Sequence, residues 1–218
     1  MTQTNRRQFV QTCLAAGAAS LCASSVSAAN GNSEVRIISQ DSNAYYGWPT
    51  VGQGKDGRLF VVSSAGREAH VCPFGRVEFM VSKDEGKTWG ASRVLLDSDM
   101  DDRDAGFFET DKGTLLVTTF SSLAYEPILE RAEKLAADDP KAWPKEKLSR
   151  WIAARDRLTP EQRKERLGTW MLRSTDGGLT WSAPYRCLVN SPHGPTQLKD
   201  GTLFYAGKKL WDENKTIG

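Results

Sequence analysis

Ser82-Lys83-Asp84-Glu85-Gly86-Lys87-Thr88-Trp89 is the stretch that decides the fold, because it returns as Ser174-Thr175-Asp176-Gly177-Gly178-Leu179-Thr180-Trp181. Both copies read S-x-D-x-G-x-T-W. Apolar or β-branched residues precede each one, Met80 and Val81 in the first and Met171 and Leu172 in the second, and an extended run follows. The copies therefore read as hairpin turns between strands. Ser82, Asp84, Gly86, Thr88 and Trp89, with Ser174, Asp176, Gly178, Thr180 and Trp181, are the structural residues of the turns. The Asp folds its carboxylate onto backbone N–H groups, the Gly supplies a positive φ, and the Trp packs under the hairpin. Burying a Trp removes roughly 150–250 Å² from water, an upper bound of about 4–6 kcal/mol at ~25 cal/mol/Å². The Asp hydrogen bonds add ~1–2 kcal/mol. On this reckoning the Trp dominates and the turn is first a folding device.

A longer repeat surrounds the turn. Trp48-Pro49-Thr50-Val51 leads to Lys55-Asp56-Gly57-Arg58-Leu59-Phe60. Arg103-Asp104-Ala105-Gly106-Phe107-Phe108 leads to Asp111-Lys112-Gly113-Thr114-Leu115. His193-Gly194-Pro195-Thr196-Gln197-Leu198 leads to Lys199-Asp200-Gly201-Thr202-Leu203. Each unit reads strand, Asp/Gly turn, strand, loop, strand, S-x-D-x-G-x-T-W turn, strand. This predicts an all-β protein, a β-propeller of four-stranded antiparallel blades with about two and a half to three blades present. An open β-sandwich built from the same hairpins is the alternative.

The repeated turn resembles the Asp-box, or BNR repeat, of sialidases, which are six-bladed propellers. The resemblance runs from about Tyr45 onward. It implies the blade architecture more strongly than the activity, since the same box occurs in propellers that are not sialidases. A propeller must close on itself, so residues 30–218 are expected to be an incomplete one whose remaining blades belong to a longer chain. A three-bladed unit that closes against another chain is the other possibility.

The 218 residues carry 29 Lys and Arg against 27 Asp and Glu. Residues 1–29 hold Arg6 and Arg7 and no acids, so without them the balance is 27 against 27. A neutral mature chain argues against nucleic acid or an anionic membrane as partner. Asn5-Arg6-Arg7-Gln8-Phe9-Val10-Gln11 opens a run of small and mildly apolar residues ending at Ala28-Ala29. This is the layout of a cleaved signal peptide and resembles the twin-arginine type, with Asn5, Val10 and Gln11 as departures. Export to the periplasm or beyond is expected, with cleavage near Ala28 or Ala29. The stretch is too short and polar to span a bilayer stably. Cys72 and Cys187 remain after cleavage, and the sequence leaves their bonding open. No zinc-ligand spacing is present, and neither metal nor cofactor is expected. Val35-Arg36-Ile37-Ile38 reads as an edge strand.

Between Phe120 and Thr169, where the first unit turns quickly, residues of helical character intervene, an insert of about 123–168. Glu126 to Ala137 has helical spacing, a second helix follows Pro144, and Thr159-Pro160-Glu161-Gln162 reads as a capped start. Leu148, Trp151, Ile152 and Leu158 form an apolar face. The insert is either a decorated loop or a wall beside a pocket.

Antiparallel strands reverse at every turn, so connections alternate between two faces. The Asp/Gly turns and the S-x-D-x-G-x-T-W turns share one face. The other collects Gly47 and Trp48, Arg67 to His70, Asp101 to Asp104, the insert, and Ser191 to His193. That face is where a site is expected, with His70 and Asp104 as catalytic candidates and Trp48, Arg67, Arg103 and His193 as substrate-binding ones. Arg suits bidentate contact with carboxylate or hydroxyls, Trp suits stacking on a sugar, and His transfers protons near neutral pH. Each also has a plain structural reading, as a core Trp, a charge-paired loop or a surface His.

The sialidase resemblance departs at these positions. Sialidases begin the first blade with Arg-Ile-Pro, whose Arg helps clamp the sugar carboxylate; here Gly47-Trp48-Pro49 stands there. Their acid/base Asp follows a Gly-Arg in the next loop; Gly66-Arg67 is present, but His70 falls near the Asp position. Asp104 loosely matches the start of their second blade. The Tyr/Glu nucleophile pair and the other arginines of the clamp belong to later blades. The resemblance thus implies an exo-acting glycoside hydrolase on terminal sugars, with sialic acid implied by likeness alone. A non-catalytic carbohydrate-binding propeller and a uronic-acid glycoside lyase are the alternatives, each with a glycan as partner.

Overall fold

Alternating apolar and small residues place β1 (Tyr45–Gln53), β2 (Leu59–Arg67), β3 (Arg76–Ser82) and β4 (Arg93–Leu96) side by side in one antiparallel sheet. β5 (Asp101–Glu109), β6 (Leu115–Ser122), β7 (Thr169–Ser174) and β8 (Tyr185–Cys187) repeat the order in a second sheet. β9 (Thr196–Gln197) and β10 (Leu203–Phe204) form a hairpin. The fold is therefore all-β, built from four-stranded antiparallel meanders, and among the described residues the short helices lie in one insertion. These elements come from a computed structural model that describes residues 35–210. The expected signal peptide of residues 1–29 lies outside them. The edge strand expected at Val35-Arg36-Ile37-Ile38 is not formed: no strand precedes Tyr45 among the described residues, and Val35 and Ile37 are 91% and 74% exposed.

The sheets share one core. Phe60, Val62, Val77 and Phe79 of the first meet Ala105, Phe107, Leu115, Val117 and Leu172 of the second. Phe60 stacks on Phe79 and Phe107 at 5.8 and 5.1 Å. The second S-x-D-x-G-x-T-W turn is drawn onto the first sheet: Arg58 Nη1 donates to Gly177 O at 2.9 Å, and Arg93 donates to Gly178 O. Gly178 is needed there, because a Cβ would stand 3.0 Å from the Phe79 ring and φ is +88°.

Both turns have the expected internal bonding. Asp84 accepts from Thr88 N at 2.8 Å, Thr88 Oγ1 at 2.6 Å and Ser82 Oγ at 2.8 Å. Asp176 accepts from Thr180 N at 2.9 Å, from Thr180 Oγ1, and from Ser174 Oγ at 2.7 Å. Gly86 and Gly178 take φ of 83° and 88° and donate their N–H groups to Ser82 and Ser174 Oγ. These bonds, chiefly those from the Thr, hold the Asp84 carboxyl down at about 2 and the Asp176 carboxyl lower still. The tryptophans bury less than the sequence reckoning assumed. Trp89 and Trp181 are half-buried, with Trp181 edge-on to Phe79 at 5.3 Å and Trp89 Nε1 donating to Gly86 O at 3.2 Å. The net around each Asp accordingly carries more of the turn than full Trp burial would leave to it.

The insertion between β6 and β7 folds as α1 (Glu126–Glu133), α2 (Lys145–Arg155) and α3 (Pro160–Glu165). At the start of α3, Thr159 Oγ1 accepts from Gln162 N and Gln162 Oε1 accepts from Thr159 N, a reciprocal capping box. Trp151 is buried with Tyr125, Leu129 and Cys72, and Phe74, Leu148 and Ile152 pack against them. The insertion thus sits on the connection between β2 and β3. Cys72 and Cys187 are both free thiols.

Candidate functional site

The chain direction of β3 separates the connections: the β2–β3 loop with His70 leads into it, and the turn with Asp84 leaves its far end. The β4–β5 connection lies with the former and the Asp/Gly turns with the latter. Structural turns and candidate site residues thus fall at opposite ends of the sheets, as strand parity predicts.

Two matched kinks shape the site end. Gly47 pairs with Ser64 and Thr50 with Val62, so Trp48 and Pro49 together oppose Ser63. In the second sheet Arg103 pairs with Phe120 and Gly106 with Thr118, so Asp104 and Ala105 oppose Thr119. Each is a β-bulge whose first residue is left-handed, with φ 48° at Trp48 and 50° at Asp104. Asp tolerates that region; a Trp there is an outlier costing on the order of 1–3 kcal/mol. Thr119 Oγ1 donates to Arg103 O at 2.7 Å and ties the second bulge to β6.

Around the kinks the expected residues converge. The Trp48 ring lies 4.8 Å from His70, and the Arg103 guanidinium stacks over it at 4.7 Å. Tyr45, which sequence reading passed over, packs on Trp48 at 6.2 Å and His70 at 6.5 Å. Its signal was an aromatic three residues before Trp48 in the same strand. Burial pushes the Asp104 carboxyl above its ordinary range, and Arg103, Arg67, His70 and His193 are near enough to pull it back. No protein group hydrogen-bonds Asp104 Oδ1 or Arg103 Nε among the described residues. His193 reaches this place because Gly106 has no side chain: a Cβ would lie 2.5 Å from Gly194 N and 2.7 Å from His193 C. His70 and His193 are exposed, while Trp48, Arg103 and Asp104 are half-buried.

Arg67 occupies a different place from the substrate contact expected of it. Its side chain is wholly buried, paired with Asp101 at 2.7 and 3.1 Å, bonded to Ser64 Oγ at 2.9 Å and His70 O at 3.2 Å, and lies under Trp48 at 5.1 Å. It supports the site from beneath. Nearby, Asp102 turns away from the cluster: burial pushes its carboxyl up to about 7, against the bonds it accepts from Ser98 N and Oγ at 2.8 and 3.0 Å. Asp102 lines a cleft of about 190 Å³ with Leu96, Met100 and Trp170, and none of the six candidate residues belongs to that cleft. Among the described residues no three His, Cys, Asp or Glu side chains gather as metal ligands, and no helix is long and apolar enough to cross a membrane.

Similar architecture occurs in solved structures. A Hadza microbial sialidase, Hz136, matches over 78% of this chain and 33% of its own, with 19% identity and a TM-score of 0.51. The fold is sialidase-like. A Dyadobacter fermentans protein of unknown function matches at 19% identity and TM-score 0.46, over 83% of this chain and 47% of its own. The NanB sialidase of Streptococcus pneumoniae matches at 8% identity and TM-score 0.44, over 79% and 40%. The chain spans about a third to a half of the length of these structures. No family model matches it, and no curated protein does.

Proposed function

We propose that the two sheets and the third hairpin are blades of a sialidase-like propeller, and that their kinked end processes a terminal sugar of a glycan by glycoside hydrolysis. The observation that carries this reading is the convergence of His70 and Arg103 on the Trp48 ring, at 4.8 and 4.7 Å, beside Asp104 at the end away from the structural turns. Trp48 offers a face for the sugar ring, and Arg103 offers N–H donors to its oxygens. His70 transfers the proton, and Asp104, held above its ordinary range by burial, is the second proton carrier. Residues 1–29 direct export, after which the chain works outside the cytoplasm. Sialic acid is one candidate substrate; the Gly at position 47, where the sialidase resemblance calls for an Arg, makes neutral and uronic sugars equally eligible.

The test is product release from a panel of sialosides, rhamnosides and uronic-acid glycans. His70→Ala and Asp104→Asn are each expected to lower kcat by about 10²–10⁴, the usual worth of general acid–base catalysis, with KM little changed. Unaltered turnover in both variants would exclude them from the chemistry. The edge-on pair of Tyr45 and Trp48 favours a second reading, a carbohydrate-binding site without bond cleavage. That reading is met by glycan binding that Trp48→Ala abolishes, with no product from any substrate.

A further inference from the structure

The loop that carries His70 is gripped on both sides by the helical insertion. Two residues before His70, the Glu68 carboxylate accepts from Arg150 Nε at 3.0 Å and Nη2 at 2.7 Å through one oxygen, and from Trp151 Nε1 at 2.9 Å through the other. Two residues after it, Cys72 is buried against Trp151, and Phe74 meets the same indole edge-on at 6.2 Å. Trp151 is itself fixed from behind by Trp143 at 4.8 Å and by Tyr125 at 6.3 Å. From the other side, Arg67 donates to His70 O. Between these anchors the His70 side chain is exposed and lies against Trp48. The loop has no regular structure of its own to hold it, so its placement depends on what grips it.

We infer that the Arg150–Trp151 pair of α2 is a positioning clamp on Glu68 that sets where the His70 imidazole stands over Trp48. The clamp rests on the reading of His70 as a site residue, but its geometry does not depend on which glycan is used. It makes the insertion a part of the site's construction, acting through Glu68 without touching substrate. A charge-assisted fork and a ring nitrogen on the same carboxylate fix both its position and its rotation.

The chain holds only two histidines, so the imidazole ¹⁵N–¹H spectrum of the labelled full chain reports His70 and His193 separately. In Glu68→Ala the His70 signals are expected to move and its ring contacts to Trp48 to be lost, with His193 unmoved. Glu68→Gln, which keeps an acceptor for the indole but loses the charge, is expected to fall between. Arg150→Ala, an exposed helix position, is expected to displace His70 less and in the same direction, and it decides the matter if Glu68→Ala does not fold. Unchanged His70 signals and Trp48 contacts, in variants whose Trp151 indole or Arg150 resonances show the grip released, would overturn the clamp. No substrate is needed. An unsubstituted chain inactive on every glycan, with His70 displaced in the variants, would sink the proposed function alone, and an active unsubstituted chain, with His70 unmoved in the variants, would sink the clamp alone.

Discussion

Gly106 shows how narrow the tolerance is where β5 meets the approach to β9. A Cβ there would lie 2.4 Å from Thr118 Oγ1 and 2.5 Å from Gly194 N, so the Thr118 side chain would have to turn and the loop backbone at Gly194 to move. Gly106→Ala is expected to cost about 1–3 kcal/mol and to shift His193 away from Asp104. Chemical denaturation and the His193 imidazole signals check the two effects. Arg67 makes the opposite point. Its guanidinium is closed off from solvent and paired with Asp101, so Arg67→Ala leaves a buried carboxylate with only Arg103, 3.9 Å away, as a cationic partner and is expected to destabilise by about 3–5 kcal/mol. A substrate contact on the surface would cost affinity and almost no stability. At this scale the sequence was partly legible: loop parity brought Trp48, His70, Arg103, Asp104 and His193 together. It did not reveal that Arg67 turns inward, because the partner that turns it, Asp101, is 34 residues away across another sheet.

Along β5, residues a single step apart have separate tasks, because each pleat sends its neighbours to opposite sides. Asp101 anchors Arg67, Asp102 is buried against Ser98, and Asp104 stands at the kink. Asp102 gives the element a pH signature. Its carboxyl is raised by burial to about 7 from an ordinary 3.8, so the folded chain keeps a proton that the unfolded chain releases. Stability from this group is full below about pH 4, falls as pH rises towards 7, and levels off above. Asp102→Asn is expected to flatten that slope and to stabilise the protein at pH 8, by at most about 4 kcal/mol at 1.36 kcal/mol per pH unit. Thermal melts of the two chains from pH 4 to 8 test it. The helices of the insertion, including the box at Thr159 and Gln162, were legible because capping is local chemistry. Their landing place was not, since Trp151 meets Glu68 and Cys72 through packing that no local pattern encodes.

The whole molecule hangs on apolar side chains that belong to neither sheet alone. Phe79 touches Phe60 and Phe107 and lies against the turn at Gly178, so one side chain joins both meanders. Phe79→Ala is expected to cost about 3–5 kcal/mol and to leave a single unfolding transition, with tryptophan fluorescence and far-ultraviolet dichroism losing signal together. Separate transitions would mean that the sheets hold themselves. Repetition made this scale the easiest to read, because two copies of one turn fix the strand order around them. The edge strand expected at Val35-Arg36-Ile37-Ile38 failed for the complementary reason: one short apolar run says nothing about whether a neighbour exists to pair with. The matched left-handed bulges at Trp48 and Asp104 have a consequence for how such a protein changes its chemistry. They are interchangeable sockets: the same backbone joint presents an indole in one meander and a carboxyl in the next, so one point substitution can exchange the reagent on display while the frame behind it stays as it was.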